Sequence, residues 1–200
     1  MKHIALENAY PEAISTLAKY HDWLAGAGIE RGLLGPREKD RIWDRHIANC
    51  AVIEECIPMN SVVYDIGSGA GLPGVVLGIV RPDIQIGLIE PLLRRANFLS
   101  EVVDDLGLEH RISVHRGRAE ELKLPSADVV TARAVAPLEK LLKWSIPLAR
   151  KGGLVLAMKG QSAQEEIEAA KSQLTGRTAQ IVTCGSGIID PATTVVRVFC

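Results

Sequence analysis

Three glycines spaced two apart, Gly67, Gly69 and Gly71, sit inside the run VVYDIGSGAGLPG from Val62 to Gly74. An apolar stretch ends at Asp65, small residues follow, and Pro73 stands where a helix would open. Glycine enters φ > 0 freely and carries no side chain, so such a turn lets a ligand approach bare main chain. At the carboxyl end of a first strand, this is where α/β sheets hold nucleotides. A glycine-rich surface connection is the plain alternative, but three alternating glycines straight after a buried strand are uncommon in one. The chemistry on offer is nucleoside binding, and two ligand classes use such a turn.

Residues 69–74, GAGLPG, match the dinucleotide fingerprint G-x-G-x-x-G, with Glu90 about twenty residues on to meet ribose hydroxyls. That match supports a nicotinamide-dependent oxidoreductase. Three features favour S-adenosylmethionine instead. Asp65 stands two places before the first glycine, where it could meet a positively charged amino-acid moiety. The glycines alternate as G-S-G-A-G, and the chain ends in two strand-like runs split by a Gly/Pro loop. No Tyr-x-x-x-Lys pair follows downstream, and the lack of Gly-Lys-Ser/Thr excludes a P-loop.

Little else in the chain offers bond-breaking chemistry. There is no Ser/His/Asp or Cys/His constellation and no obvious carboxylate pair. Cys50, Cys56, Cys184 and Cys200 are scattered without C-x-x-C spacing. They read as reduced thiols of a cytoplasmic protein, with neither a disulfide frame nor a metal site. The formal charge of −1 advertises no global affinity for nucleic acid, so any RNA surface is local. No apolar run approaches the ~20 residues of a membrane helix, and MKHIALENAYPE lacks the apolar stretch of a signal peptide. No membrane partner is expected.

The elements that must position the glycine turn fall into two groups. Residues 1–60 read as a helical extension. After Pro11, Ile14, Leu17, Ala18, His21 and Leu24 keep helical spacing up to Gly26-Ala27-Gly28. Trp43, Ile47, Cys50, Ile53 and Ile57 then line a second helix, with Trp43 as a core anchor, until Pro58. Arg37, Lys39, Arg41 and Arg45 lie on its other side, as a solvated face or a polyanion contact. Residues 61–200 alternate strand and helix. Strands are predicted at 62–66, 84–90, 111–115, 128–131 and 154–158, the last after a Lys151-Gly152-Gly153 turn. Helices are predicted at 73–80, 91–107, 137–149 and 164–174. Two last strands, 180–184 and 193–199, run antiparallel to each other. The pattern is α/β: one doubly wound domain, 47 % of the chain being hydrophobic, behind the helical extension.

These residues carry a family resemblance. IWDRHIANC (42–50), YDIGSGAGLPGVVLGIVRP (64–82), RRANFL (94–99), GRAEEL (117–122), ARAVAPL (132–138) and MKGQ (158–161) occur in order. Together they make the chain similar to the RsmG/GidB family of bacterial small-subunit rRNA methyltransferases. Two departures are Asn49-Cys50, where many members have Asp-Ser, and Glu90-Pro91 in place of an acid-serine pair. The resemblance implies a Rossmann-like class I methyltransferase sheet with an antiparallel C-terminal strand. It also implies methyl transfer from S-adenosylmethionine to N7 of a guanine in 16S ribosomal RNA, within the small subunit or an assembly intermediate. Gly67, Gly69, Gly71 and Leu72 would line the methionine and ribose side, and Glu90 would hold ribose hydroxyls. Ala119 and Glu120 would flank the adenine, and Arg133 would sit at the methionine end. Lys159 is a candidate phosphate or base contact, and Arg45 and His46 would bridge the extension to the active face. Arg94, Arg95, Arg116 and Arg118 join Arg37 to Arg45 as a candidate RNA track. A non-catalytic RNA- or ribosome-binding module that kept the fold is the remaining alternative.

Overall fold

The computed structural model describes residues 4–200. Its middle layer is a seven-stranded sheet in the order β3-β2-β1-β4-β5-β7-β6. The strands are β1 (Val62–Ile66), β2 (Gln85–Glu90), β3 (Ile112–Arg116), β4 (Ala127–Arg133), β5 (Ala149–Lys159), β6 (Thr178–Cys184) and β7 (Thr193–Phe199). The first five pair in parallel, and β7 enters antiparallel between β5 and β6. The strands are apolar nearly throughout because both faces are covered. Alternate residues serve opposite cores: Val63, Leu88, Val129 and Leu156 face one, and Tyr64, Ile89, Val130 and Val155 the other.

The first core lies under the extension. Between it and the sheet runs α4 (Gly74–Val80), in which Gly74 to Ile79 are all buried. A helix apolar on every side must be enclosed on every side. Here Leu17, Tyr20, Ile42, Ile47 and Ile53 of the extension share a core with Val75, Val76 and Leu77 of α4. Helix α5 (Leu93–Asp105) covers β2 and β3 through Phe98, Leu99 and Val102. On the other face, α6 (Leu138–Ser145) and α7 (Ala163–Ala169) close the second core.

Several elements differ from expectation. A short α1 (Ile4–Ala9) precedes α2 (Ile14–Trp23), whose buried face is Ala13, Leu17, Tyr20 and Leu24; Ala18 is exposed. The second extension helix changes pitch along its length. A 3-10 turn (Pro36–Arg41) passes into a π turn (Ile42–Ala48), one α turn, α3 (Asn49–Ala51), and a 3-10 turn (Val52–Cys56). The wide turn buries His46 and Ile47 together. It leaves Trp43 half-buried and stacked on His21, with ring centroids 5.3 Å apart, instead of anchoring the core.

Strand β4 runs on to Arg133, past the expected end at Thr131. Lys151-Gly152-Gly153 is no helix-to-strand turn but a bulge inside β5: residues 149 to 154 oppose only 127 to 129. Helix α7 stops at Ala169, before turns in which Ser172 and Thr175 make local hydrogen bonds. The sheet also brings two of the scattered cysteines together. Cys56 and Cys184 are free thiols with their sulfurs 3.4 Å apart. Among the described residues, no helix is long and apolar enough to cross a membrane, and no three His, Cys, Asp or Glu cluster to hold a metal.

Candidate active site

The glycine turn emerges where β1 lies between β2 and β4, and main chain from β2 anchors it. The Gly67 and Ser68 amides donate to the Ile89 carbonyl at 2.8 and 3.2 Å. One residue further along β2, Glu90 is 1 % exposed. Its Oε2 accepts from the Gly69 amide and its Oε1 from the Leu92 amide, each at 3.0 Å. Each carboxylate oxygen keeps a further lone pair for another donor.

The glycines have φ of +65°, +59° and +98° at 67, 69 and 71, but their surroundings differ. A methyl group on Gly67 would lie 2.8 Å from Val135 Cγ2. One on Gly71 would lie 2.5 Å from Val75 Cγ2 and 2.9 Å from the Tyr20 hydroxyl. At Gly69 the nearest atom would be the Gly67 carbonyl oxygen, 3.8 Å away. Protein therefore covers the first and third glycines, and the middle one presents an open face. Leu72, 5 % exposed, packs into the first core beneath the turn.

Asp65 does not face outward as expected. It is wholly buried, with Oδ2 accepting from the Gly74 amide at 3.0 Å and Oδ1 without a protein partner. Burial pushes its pKa up to about 7, against the lowering effects of the Gly74 amide and Ser68. Its direct role is to join the turn to the start of α4. From the extension, Tyr20, also wholly buried, donates its hydroxyl to the Ala70 carbonyl at 2.7 Å.

The loop after β3 stands beside β2, with the Gly117 amide donating to the Glu90 carbonyl at 3.2 Å. There Ala119 is buried in the second core. The Glu120 side chain is 39 % exposed, with its carboxylate 4.0 Å from Arg118.

The other candidates converge on an open cavity of ≈ 660 Å³ at the carboxyl ends of β4 and β5, lined by Arg45, His46, Arg133, Met158 and Lys159 among others. Arg133 ends β4, half-buried, and its NH2 group donates to His46 Nδ1 at 2.7 Å. Lys159 ends β5. Its ammonium donates to the Ala136 carbonyl at 2.9 Å and pairs with Glu166 at 2.7 Å, leaving 11 % of the side chain exposed. Glu166 in turn accepts from the Leu138 amide at 2.8 Å. The pair thus holds residues 134–138 from both sides, a segment in which Ala134 has φ +54° and Val135 sits over Gly67. Arg45 is the more available cation, with 52 % of its side chain exposed.

Tyr20, Glu38, Val135 and Glu166 were not singled out from sequence. Glu38 sits inside the basic run, eight residues before His46 in sequence, a spacing that would set the two about 12 Å apart along a regular helix. The break from the 3-10 turn into the π turn brings them together, and no sequence signal marks it.

The family model described as GidB, rRNA small subunit methyltransferase G, matches residues 13–187. A protein of Thermobifida fusca (strain YX), named ribosomal RNA small subunit methyltransferase G, is 52 % identical over 198 residues, covering 97 % of this chain and 83 % of that one. A protein of the same name from Streptomyces coelicolor is 52 % identical over 196 residues, covering 96 % and 82 %. Among solved structures, a SAM-dependent methyltransferase from Aquifex aeolicus superposes with a TM-score of 0.56 at 16 % identity, over 81 % of this chain and 97 % of that one.

Proposed function

The chain belongs to the GidB family, rRNA small subunit methyltransferase G, and on that footing we propose that it transfers the methyl group of S-adenosylmethionine to N7 of a guanine in 16S ribosomal RNA. The carrying observation is the open face of Gly69 beside the Glu90 carboxylate, on a turn that Gly67 and Gly71 close off elsewhere. Those residues fit a nucleoside that brings hydroxyl donors to one end and needs close main-chain approach at the other. Glu90 would accept from the ribose hydroxyls with its spare lone pairs. The main chain at Ala119 and Glu120 would flank the adenine, and Arg133 would meet the methionine end. When bound, S-adenosylmethionine supplies a methyl group activated by the positive charge of its own sulfur.

The residues around the cavity have little proton work to do. Guanine N7 presents a lone pair and carries no proton at neutral pH, so no side chain has to act as a base. The contribution of the protein is placement, which is worth roughly 7–11 kcal/mol when a reaction partner is held close and aligned. In A-form RNA, N7 lies in a deep, narrow groove, so the target guanine sits in a loop or is turned out of its stack. Among the described residues, no Phe, Tyr or Trp lines the cavity, and the planar guanidinium of Arg45 is the surface on which a base can stack.

A second cavity of the same volume, ≈ 660 Å³, shares Arg45, Asn49 and Pro191 with the first; Arg41 and Arg45 line it together with Asp40, Asp44 and Asp190. The substrate is a folded RNA or RNA–protein particle recognised by shape, in the cytoplasm where subunits assemble. Tritiated methyl transfer tests the proposal. Ribosomal subunits from cells lacking the protein should accept label from S-adenosylmethionine, recovered as 7-methylguanine in 16S RNA. Absence of label from both subunits and naked RNA refutes it.

A further inference from the structure

Arg133 belongs to a row of three side chains that crosses from the sheet to the extension. Its NH2 group donates to Nδ1 of His46 at 2.7 Å, and NH1 approaches the Arg45 carbonyl at 3.5 Å. On the other side of the ring, His46 Nε2 lies 2.8 Å from Glu38 Oε2. The remaining oxygen, Oε1, takes the Arg45 guanidinium at 3.4 Å. The chemistry of these groups decides where the proton lies. A guanidinium only donates, so Nδ1 must accept and hold no hydrogen. The ring proton is then on Nε2, donated to the carboxylate.

His46 is 7 % exposed. Burial and then the Arg133 charge hold its pKa below the usual value, against the pull of Glu38. The charged groups facing it are Glu38 from the 3-10 turn, Arg45 from its own turn and Arg133 from β4. With both ring nitrogens engaged, His46 has no lone pair left to take a proton from a substrate. Its position suits a spacer that transmits orientation.

We propose that Glu38 is a positioning residue: by fixing the tautomer of His46 it holds the Arg133 guanidinium at the mouth of the active-site cavity. The inference rests on the reading that Arg133 meets the methionine end of the cofactor. Without the carboxylate, the ring is free to carry its proton on Nδ1, which sets a donor against a donor and releases Arg133. Acid does the same, since the imidazolium has a hydrogen on both nitrogens.

The test uses the full-length protein with Glu38→Ala and Glu38→Gln. Two quantities are read across pH 5.5 to 8: calorimetric affinity for S-adenosylmethionine, and the His46 tautomer by nitrogen-15 NMR. In the wild-type chain, NMR should report Nε2–H with Nδ1 unprotonated, and affinity should fall as acid protonates the ring. Glu38→Ala should lose the fixed tautomer and bind at least tenfold more weakly at pH 7.5. Its acid limb should move to lower pH, because the group that favours the imidazolium is gone. Glu38→Gln, which keeps an acceptor but not the charge, should recover part of the affinity yet show the same shifted limb; it carries the test if Glu38→Ala does not fold.

Wild-type affinity and an unmoved acid limb in either folded variant overturn the proposal, as does an Nδ1–H tautomer in the wild-type chain. Failure of the wild-type chain to bind S-adenosylmethionine, with the Nε2–H tautomer seen, overturns the cofactor reading and the positioning role with it, and leaves only a structural contact.

Discussion

At Gly69 a side chain would meet no protein atom nearer than the Gly67 carbonyl oxygen, 3.8 Å away, and on the proposal above it would fill the space the cofactor takes. Gly69→Val is therefore expected to weaken S-adenosylmethionine binding at least tenfold in calorimetry, about 1.4 kcal/mol, with strain at φ +59° adding to the effect. Undiminished affinity would move the cofactor away from the turn. Asp65 makes a second prediction, about pH. Its folded-state pKa, raised to about 7 by burial, lies above the ~3.9 of an unfolded chain. Between those values the folded protein holds a proton that the unfolded chain has released. Stability contributed by neutral Asp65 is thus complete below about pH 4 and declines until about pH 7, then levels off. Asp65→Asn should flatten that decline, seen as a smaller difference in Tm between pH 5 and pH 8. An identical pH profile in the variant would mean that Asp65 is charged throughout. The positive-φ glycines were legible in the sequence because one strand–turn–helix unit sets them locally, and Glu90 because it ends the very next strand. The burial of Asp65 was not, since it depends on a helical layer that is distant in sequence.

Elements carry the next set of constraints. Lys159 was expected to meet phosphate or base, but its ammonium is engaged by Ala136 and Glu166, which fixes the segment after β4. Lys159→Met would leave Glu166 without its countercharge in a half-buried place, costing roughly 1–3 kcal/mol of unfolding free energy in urea. An unchanged denaturation midpoint would show that the ion pair is dispensable. The extension helix shows where periodicity is least informative. Trp43, Ile47, Cys50, Ile53 and Ile57 fit a 3.6-residue repeat, and all but Trp43 are buried. Yet the path is part 3-10 and part π, and the π turn is the one that carries Arg45 and His46. A changed pitch leaves no mark in a list of apolar positions, because it shifts which residues face inward by only a fraction of a turn. The bulge in β5 escaped for a similar reason: Lys-Gly-Gly reads as a turn between elements and also fits as a kink within one.

For the molecule as a whole, the succession of strands and helices and the antiparallel last pair followed from alternating apolar runs and a Gly/Pro loop, whereas the spatial order of the strands is set by pairing across the sheet and leaves no mark in the sequence. The layer above α4 was legible only in outline, as a helical extension of unstated placement. Exposed Arg37 and Arg41 on that layer interleave with Glu38, Asp40 and Asp44, so the surface is mixed and not uniformly basic. Arg37→Glu combined with Arg41→Glu should slow methylation of ribosomal particles severalfold, with a shallower dependence on salt than the parent because fewer phosphate contacts remain to be screened, and leave calorimetric cofactor affinity intact. Equal rates for variant and parent would confine RNA contact to the cavity itself.

The hydroxyl of Tyr20 reaching the carbonyl of Ala70 ties the front of the chain to the glycine turn. A shortened protein that starts at residue 61 would keep every cofactor-lining residue proposed above, yet it would strip α4 to water along one side and leave that carbonyl unanswered. Loss of function by lesions between residues 13 and 24 therefore needs no damage to the chemistry: it follows from a keystone removed at the far end of the sequence.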